Sequence, residues 1–324
     1  KISALECSES AMIFGSGMAA ISTTLLAFLS SGDHILLQKD IYGGTRNLVE
    51  AQFNRYNIDY TFTDDINLKD FKSAIKKNTK VIYIETPSNP LLKIIDIEKI
   101  AEFAKSKDII TIIDNTFATP IIQKPILFGV DIVLHSATKY FGGHSDISAG
   151  AVAASQAHID KIWNLAKNLG GNLSDYSVWL LERSMKTLSI RVKAQQKNAN
   201  KLAKYLSKSS FIKKVYYPGL KSHPNHILAK KQMKGYGAMI SFEFIDKIDP
   251  SLFLTSLNLI KPSMSLAGVE STMLSPAETS HYLLTENERL SQGITNELIR
   301  FSVGIENKKD IIVDIEHAIK LSIK

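Results

Sequence analysis

The sequence has almost no cysteine, since Cys7 is the single one among 324 residues. A lone cysteine cannot close an intrachain disulfide, and it excludes zinc sites that are built from several thiolates. The eight histidines are dispersed, and His223 and His226 lie in a proline-containing loop without a neighbouring cysteine or carboxylate. We therefore expect no metal site, and we interpret Cys7 as a packing or surface residue rather than a nucleophile.

Long apolar runs are also missing. No stretch approaches the roughly 18 consecutive apolar residues that a membrane helix needs. The chain starts with KISALECSES, which lacks the apolar core of a signal peptide. The sequence therefore predicts a cytoplasmic protein that does not act on a membrane.

Arginine is scarce as well, because only six of the 39 basic residues are arginines. The net charge of +7 would suit a nucleic-acid partner, but the lysines are scattered along the chain and are not interleaved with aromatic residues. This pattern favours a solvated, lysine-rich surface. We therefore expect no nucleic-acid partner.

The composition, with 44% hydrophobic and 22% charged residues, is typical of a globular protein. The length exceeds that of most single cores, which predicts two domains, 1–190 and 191–324. In the first half, continuous apolar runs alternate with segments of helical period, as in parallel strands joined by crossover helices. The predicted strands are 34–37, 58–62, 81–84, 109–113, 132–134 and 151–154, and the predicted helices include 18–29 and 97–105.

These patterns predict an α/β fold with a mostly parallel open sheet that carries helices on both faces. Beyond residue 188 the pattern changes. The predicted elements there are a helix at 191–206, strands at 214–217, 239–244 and 299–303, and a closing helix at 311–321. We interpret this part as a smaller α+β domain.

Polar side chains come at or shortly after the ends of three predicted strands, namely Glu85, Asp114 and Lys139. Ligands of open α/β sheets bind at the carboxyl ends of the strands. Lysine forms a Schiff base with a carbonyl group when its surroundings depress its pKa, and pyridoxal phosphate needs such a lysine, an acid opposite its pyridine nitrogen and donors for its phosphate.

Lys139 and Asp114 supply the lysine and the acid of that set. The hydroxyls of Ser136 and Thr138 supply phosphate donors, and the segment GSGM at 15–18 offers backbone N–H groups at the start of a predicted helix. The residues therefore predict a pyridoxal phosphate site.

Seven segments then match one family in order and spacing. They are FGSGMAAI at 14–21, IYGGT at 41–45, YIETPSNP at 83–90, IDNTFATP at 113–120, HSATKY at 135–140 followed by GGHSDI at 142–147, SLAGVES at 265–271 and LIRFSVGIE at 298–306. The chain resembles the pyridoxal-phosphate enzymes of cysteine and methionine metabolism, which include cystathionine γ-synthase, cystathionine γ- and β-lyase and methionine γ-lyase. The resemblance runs nearly from end to end and implies the aspartate-aminotransferase-like fold, fold type I.

The resemblance also implies roles for individual residues. The residues similar to the family's cofactor-binding set are Ser16, Gly17, Met18, Tyr42, Asn89, Asp114, Ser136, Thr138 and Lys139. Among them, Tyr42 resembles the tyrosine that stacks on the ring and helps take the proton of the substrate amine, and Asn89 resembles the residue that binds the ring hydroxyl. Ser265 and Arg300 resemble the pair that binds the substrate's α-carboxylate, for which a bidentate guanidinium is well suited.

Two positions that differ among the family's members point to different substrates. Gly44 stands where methionine γ-lyases typically carry cysteine, as in the cystathionine enzymes. Met264, which we include among the substrate-binding residues, stands where cystathionine γ-synthases and γ-lyases typically carry glutamate, and it is closer to the aliphatic residue of methionine γ-lyases. We predict a transsulfuration enzyme of the cystathionine γ-synthase or γ-lyase type that acts on a small amino acid, with methionine γ-lyase and cystathionine β-lyase as alternatives.

The resemblance implies a homotetramer, built as a dimer of dimers with active sites shared across subunits. In the family, an N-terminal arm supplies a tyrosine and an arginine to the phosphate of a neighbouring subunit. The sequence opens at the helix that leads to the phosphate segment. That arm is therefore expected to be absent from this chain.

A dinucleotide-binding protein is the main alternative from another class. Residues 15–20 match G-x-G-x-x-A, and Asp40 follows at the distance of a ribose-binding acid. This alternative requires a strand before Gly15, where the pattern is helix-like, and it leaves Lys139 and Arg300 unexplained. We therefore prefer the pyridoxal phosphate interpretation.

Overall fold

The computed structural model describes residues 1–280, 282 and 285–324. Contacts divide the chain into two compact units. The first consists of Lys1–Asn89, Lys93–Gly142 and Ile147–Arg183, and the second of Pro90–Leu92, Gly143–Asp146 and Ser184–Lys324. The chain thus changes unit between residues 183 and 184, and two short loops of its first half belong to the second unit.

A seven-stranded sheet forms the centre of the first unit. Its strands are β1 (Ser10–Phe14), β2 (His34–Leu37), β3 (Asp59–Phe62), β4 (Thr79–Glu85), β5 (Ile110–Asp114), β6 (Ile132–His135) and β7 (Gly150–Ala154). Their order is β1-β7-β6-β5-β4-β2-β3. The neighbours from β6 to β3 are parallel, whereas β7 is antiparallel to both β1 and β6. The prediction of a mostly parallel sheet is confirmed.

Helices cover both faces of this sheet, as predicted. The helices between residues 1 and 185 are α1 (Ile2–Glu6), α2 (Gly17–Phe28), α3 (Gly43–Gln52), α4 (Leu68–Ala74), α5 (Ile97–Lys105), α6 (Thr119–Ile122), α7 (Gln156–Leu169) and α8 (Asp175–Met185). Alternate residues of the central strands, such as Val81, Tyr83 and Ile112, share a core with α2 and α7. The intervening residues face the other side, where α5 buries its apolar stripe against β5.

One expectation about the first unit was wrong. The segment before Gly15, which the sequence pattern indicated as helix-like, is the strand β1. It lies at the edge of the sheet, and Ser10 to Phe14 pair with residues 150–154 of β7. The pairing partner is far away in the sequence, so long-range pairing and not local propensity decides the conformation. A dinucleotide-binding unit requires a central parallel strand at this place. β1 is an antiparallel edge strand, so the structure still does not favour that alternative.

The second unit, in the part of it that the structure describes, contains a five-stranded sheet. Its strands are β8 (Ile212–Tyr216), β9 (Met239–Phe244), β10 (Lys261–Pro262), β11 (Thr272–Leu274) and β12 (Leu298–Ser302), in the order β10-β11-β12-β9-β8. All neighbours except β10 and β11 are antiparallel.

The helices of this unit are α9 (Leu188–Leu206), α10 (His226–Gln232), α11 (Pro250–Thr255), α12 (Glu286–Ser291) and α13 (Lys308–Leu321). Phe242 and Phe244 on β9 and Phe253 on α11 form edge-to-face contacts in its core. Within residues 1–280, 282 and 285–324, no helix combines the length and the apolar character that crossing a lipid bilayer requires.

Candidate active site

Three neighbouring strands of the first unit end in polar side chains. Glu85 and Asp114 are the last residues of β4 and β5 and are paired in register, and His135 is the last residue of β6. Paired residues on adjacent strands project to the same face of a sheet. Glu85 and Asp114 therefore lie side by side, with only 5% and 7% of their surfaces exposed.

Lys139 lies in a tight turn after β6. Residues Thr138–Gly142 form a short π-helical turn in which Lys139 departs from helical geometry, with φ −83° and ψ −117°. The Lys139 N–H donates to the Ser136 carbonyl at 3.0 Å. The Thr138 hydroxyl accepts from the Ala149 N–H at 3.0 Å and donates to the Ala149 carbonyl at 3.1 Å. These bonds fix the turn to the segment that enters β7 and engage the Thr138 hydroxyl within the fold.

The N-terminus of α2 forms a cradle for an anion. Ser16 caps the helix by accepting the Ala19 N–H on its Oγ at 3.0 Å, whereas the N–H groups of Gly17 and Met18 have no acceptor within the helix. A Cβ atom on Gly17 would lie 2.9 Å from Ser136 Cβ and 3.0 Å from Ser136 Oγ. Glycine is therefore required at this close approach, and the Ser136 hydroxyl lies at the positive end of α2, where phosphate is favoured.

Asp114 is a buried acid whose carboxyl group is held at the end of β5. Its Oδ1 accepts the Thr116 N–H at 2.9 Å. Burial raises the pKa of Asp114, while the hydrogen bonds from Thr116 and the nearby His135 oppose that rise. A cation beside this carboxyl group would favour its ionised form, and a protonated pyridine nitrogen is such a cation. Together with the lysine turn and the anion cradle, this acid fits the chemical groups of pyridoxal phosphate.

Tyr42 and Asn89 lie on two loops that meet at Glu85. The Tyr42 N–H donates to Glu85 Oε2 at 2.8 Å, and the Asn89 N–H donates to the same carboxyl group. The Tyr42 ring packs over Gly44, because a Cβ on Gly44 would lie 2.4 Å from ring atom Cε1 and 3.1 Å from Met18 Sδ. The structure therefore brings Tyr42 next to the segment that forms the cradle.

Sequence reasoning missed a buried polar network behind Asp114. Glu6 of α1 is fully buried, and its Oε1 lies 2.5 Å from His135 Nε2 and accepts a hydrogen bond from Asn115 Nδ2 at 3.0 Å. Glu6 thus joins the residue after Asp114 to the residue before Ser136. The two partners are 109 and 129 positions away from Glu6, so no local spacing in the sequence indicates this network.

The predicted carboxylate-binding residues lie together in the second unit. Arg300 is at the centre of β12 and only 4% exposed, and its Nη2 donates to the Met264 carbonyl at 3.0 Å. The carbonyl of Ser265 accepts from the Thr272 hydroxyl at 2.9 Å. The Met264 side chain is 62% exposed, which leaves it accessible beside Arg300.

Comparisons with known proteins agree on one family. Residues 1–320 match the family described as Cys/Met metabolism PLP-dependent enzyme. The chain is 46% identical to the cystathionine β-lyase of Lactococcus lactis subsp. cremoris (strain MG1363), over 98% of this chain and 84% of that protein. It is 44% identical to the L-methionine γ-lyase of Fusobacterium nucleatum subsp. polymorphum, over 99% of this chain and 82% of that protein.

Its fold matches the crystal structure of cystathionine γ-lyase from Lactobacillus plantarum complexed with L-serine. The TM-score is 0.96 at 42% identity, and the match covers 99% of this chain and 84% of that one. Structures of this group are pyridoxal-phosphate enzymes of fold type I, so the predicted fold class and cofactor are confirmed.

Proposed function

Because this chain belongs to the pyridoxal-phosphate-dependent enzymes of cysteine and methionine metabolism, we propose that it is a lyase that cleaves a carbon–sulfur bond of cystathionine. The proposal is carried by one juxtaposition, in which the Lys139 turn, the buried acid Asp114 and the anion cradle at Ser136 follow neighbouring strand ends. Gly44 favours cystathionine over methionine as the substrate, since the cystathionine enzymes also lack the cysteine that methionine γ-lyases typically carry at this position.

Three predicted site residues of the first unit then have defined tasks. When bound, pyridoxal phosphate withdraws electrons from the Cα atom of an amino acid. Lys139 Nζ acts first as a general base that takes the proton from Cα. It then acts as a general acid that donates a proton to the substrate carbon or to the leaving sulfur atom. The Asp114 carboxylate holds a proton on the ring nitrogen, and Tyr42 covers the ring and takes the proton of the substrate amine.

Binding of the phosphate and the ring hydroxyl is assigned to further residues. The Ser136 and Ser16 hydroxyls and the N–H groups of Gly17 and Met18 bind the phosphate at the positive end of α2. The Thr138 hydroxyl joins them by exchanging its bond to the Ala149 carbonyl for one to a phosphate oxygen. Asn89 donates to the ring hydroxyl through its side-chain amide.

Substrate recognition is assigned to residues of the second unit. Arg300 binds the α-carboxylate with two parallel N–H groups, and Ser265 adds a further donor. Met264, exposed beside Arg300, contacts the apolar part of the substrate.

The proposal includes assembly and location. Tyr176 and Trp179 on α8 and Trp163 on α7 are more than half exposed, and apolar aromatic side chains of this size are typical of subunit interfaces. They support assembly into an oligomer, which we propose is a homotetramer with active sites shared across subunits. The exposed free thiol of Cys7 suits the reducing cytoplasm.

A product assay tests the proposed reaction. The purified protein, loaded with pyridoxal phosphate, is incubated separately with cystathionine, methionine, cysteine and an O-acylhomoserine plus cysteine. Cleavage at the γ-carbon of cystathionine consumes water and gives cysteine, 2-oxobutyrate and ammonia, whereas cleavage at the β-carbon gives homocysteine, pyruvate and ammonia.

We expect one of these two product sets from cystathionine at a higher kcat/KM than keto acid from methionine. Lys139→Ala is the chemical control and should form no keto acid, while Lys107→Ala, in the exposed turn after α5, should match the wild type. Formation of cystathionine from O-acylhomoserine and cysteine without any keto acid from cystathionine would contradict the proposal.

A further inference from the structure

Glu85 is a buried acid at the candidate site to which the mechanism above gives no task. It ends β4, it is 5% exposed, and it is paired in register with Asp114 on β5. Burying a carboxyl group costs free energy unless its oxygens accept hydrogen bonds and its negative charge is either paired with a cation or removed by protonation. The groups that contact the Glu85 carboxyl therefore indicate what this buried acid does.

The contacts of Glu85 connect the segments that carry two predicted cofactor-binding residues. Its Oε2 accepts the backbone N–H of Tyr42 at 2.8 Å, and its carboxyl group also accepts the N–H of Asn89. Its own N–H donates to Gln38 Oε1 at 2.9 Å. Glu85 thus joins the loop before α3 to the loop after β4.

The charges around Glu85 argue against two ionised carboxyl groups. Asp114 lies beside it, the phenol of Tyr83 belongs to the same strand, and Asp40 is nearby but is paired with Lys93, whose Nζ lies 2.5 Å from Asp40 Oδ2. Two buried acids in register share their ionisation, so that one of them keeps its proton. Burial, and after it the charge of Asp114, raises the pKa of Glu85 well above its usual range, against the effect of the two N–H bonds.

We propose that Glu85 is a positioning residue of the cofactor site, a neutral acid that anchors the Tyr42 and Asn89 backbones and leaves Asp114 as the only negative charge of the pair. This inference rests on the proposed function, since it takes from it the assignment of Tyr42, Asn89 and Asp114 to the cofactor. It requires an acceptor oxygen at position 85 but no negative charge there.

Two substitutions separate these requirements. Glu85→Gln keeps an acceptor oxygen in a neutral side chain of the same shape, whereas Glu85→Ala leaves the two backbone N–H groups without it. Glu243→Gln and Glu243→Ala are the matched controls, because Glu243 is a buried acid on β9 of the second unit that binds Tyr216. The dissociation constant of pyridoxal phosphate is measured by titrating each apoprotein and following absorbance, and the unfolding midpoint of each apoprotein is measured alongside.

We expect Glu85→Gln to bind the cofactor within about threefold of the wild type and Glu85→Ala to bind it at least about tenfold more weakly, as expected when a hydrogen-bond acceptor is removed from buried donors. Both Glu243 variants should bind like the wild type even where their unfolding midpoints fall. Wild-type affinity in Glu85→Ala, or equal losses in Glu85→Gln and Glu85→Ala, would overturn the inference.

An infrared measurement tests the protonation state without the cofactor. The difference spectrum between wild-type and Glu85→Gln apoproteins at neutral pH should contain the C=O stretch of one protonated carboxylic acid. Its absence would overturn the neutral state of Glu85. Neither this spectrum nor the affinities involve turnover, so an absence of cystathionine cleavage would remove the proposed reaction while leaving these results to decide on Glu85.

Discussion

Asp114 and Asp314 are both buried aspartates, but the two units of the chain hold them in different ways. The Asp314 carboxylate accepts three backbone N–H groups, from residues 258–260, at 2.8 to 3.0 Å. Asp114 accepts the N–H of Thr116 at the end of a strand, beside a second buried acid. The Asp314 carboxylate holds a loop of the fold through three N–H bonds, whereas the Asp114 carboxylate accepts one backbone N–H bond and lies beside a second acid.

This contrast distinguishes structural acids from acids that are suited to a ligand. In the second unit, Glu306 likewise accepts the N–H and the hydroxyl of Ser271 at 2.5 and 2.9 Å, so its oxygens serve the loop around it. In the first unit, burial raises the pKa of both Asp114 and Glu85. Perturbed titratable groups that cluster in one place are typical of functional sites.

Exchanging each aspartate for asparagine is the strongest test of the contrast. Asp114→Asn should lower kcat about 10²-fold or more, because the ring nitrogen loses the group that keeps it protonated, while the free energy of unfolding changes little. Asp314→Asn should keep kcat and lower the free energy of unfolding by about 1.5–3 kcal/mol, since three N–H groups lose a charged acceptor. Steady-state kinetics and urea unfolding of both variants measure the two effects. Similar effects of the two substitutions on both quantities would remove the distinction.

Arg300 extends the comparison to the second unit, because it is the residue there that is proposed to bind the substrate's carboxylate by two parallel bonds. Arg300→Lys cannot form two parallel bonds to a carboxylate and should lower kcat/KM about 10- to 100-fold, the equivalent of one charge-assisted hydrogen bond. The dissociation constant of pyridoxal phosphate should stay within about threefold of the wild type. Arg289→Lys, on the exposed helix α12, is the control and should change neither value. If Arg300→Lys loses as much affinity for the cofactor as it loses in kcat/KM, the assignment of Arg300 to the substrate's carboxylate is wrong.

The smallest expected effect is on the pH dependence of stability, to which each unit contributes one buried histidine. Burial lowers the pKa of His34 in the first unit and of His223 in the second to about 4, from an ordinary value of 6.5. The folded protein therefore binds fewer protons than the unfolded chain, and stability that is present above pH 6.5 is lost as the pH falls toward 4. Each histidine should contribute about 1–2 kcal/mol to the loss between pH 7 and pH 5.

Urea unfolding of His34→Asn and His223→Asn at both pH values tests this expectation. Each substitution should flatten the pH dependence by a similar amount, whatever it does to the stability at pH 7. A wild-type slope in either variant would show that the histidine in question titrates alike in the folded and the unfolded chain.

Much of the fold could be predicted because the buried strands are continuous apolar runs. The predicted bounds of β2 and β9, and of the helix α5, coincide with the observed ones. β1 was missed because its five residues have no clear alternation and become a strand only through pairing with β7. Similarly, the second unit takes up residues 90–92 and 143–146 through contacts with residues far away in the chain, which a local pattern does not record.

The candidate site was predictable where a residue type is tied to a strand end or to a helix start, as for Asp114, Lys139 and Ser16. Glu85 was recognised as a strand end but received no task, because its partners are backbone N–H groups that any residue would offer. Glu6 was missed entirely, since its relation to His135 exists only in the folded chain.

The approach of Gly150 to Ser16 has a consequence for the order of events during synthesis. A Cβ atom on Gly150 would lie 2.1 Å from the Ser16 carbonyl oxygen, so the start of β7 forms one wall of the loop that leads into α2. Residues 10–14 and 150–154 are the two ends of a long-range pairing, and such contacts form late because a large loop must first close. A nascent chain that has not yet reached residue 150 lacks this wall. We therefore expect capture of the cofactor's phosphate by the proposed cradle to follow the translation of β7, although the loop that leads into α2 precedes β7 in the sequence.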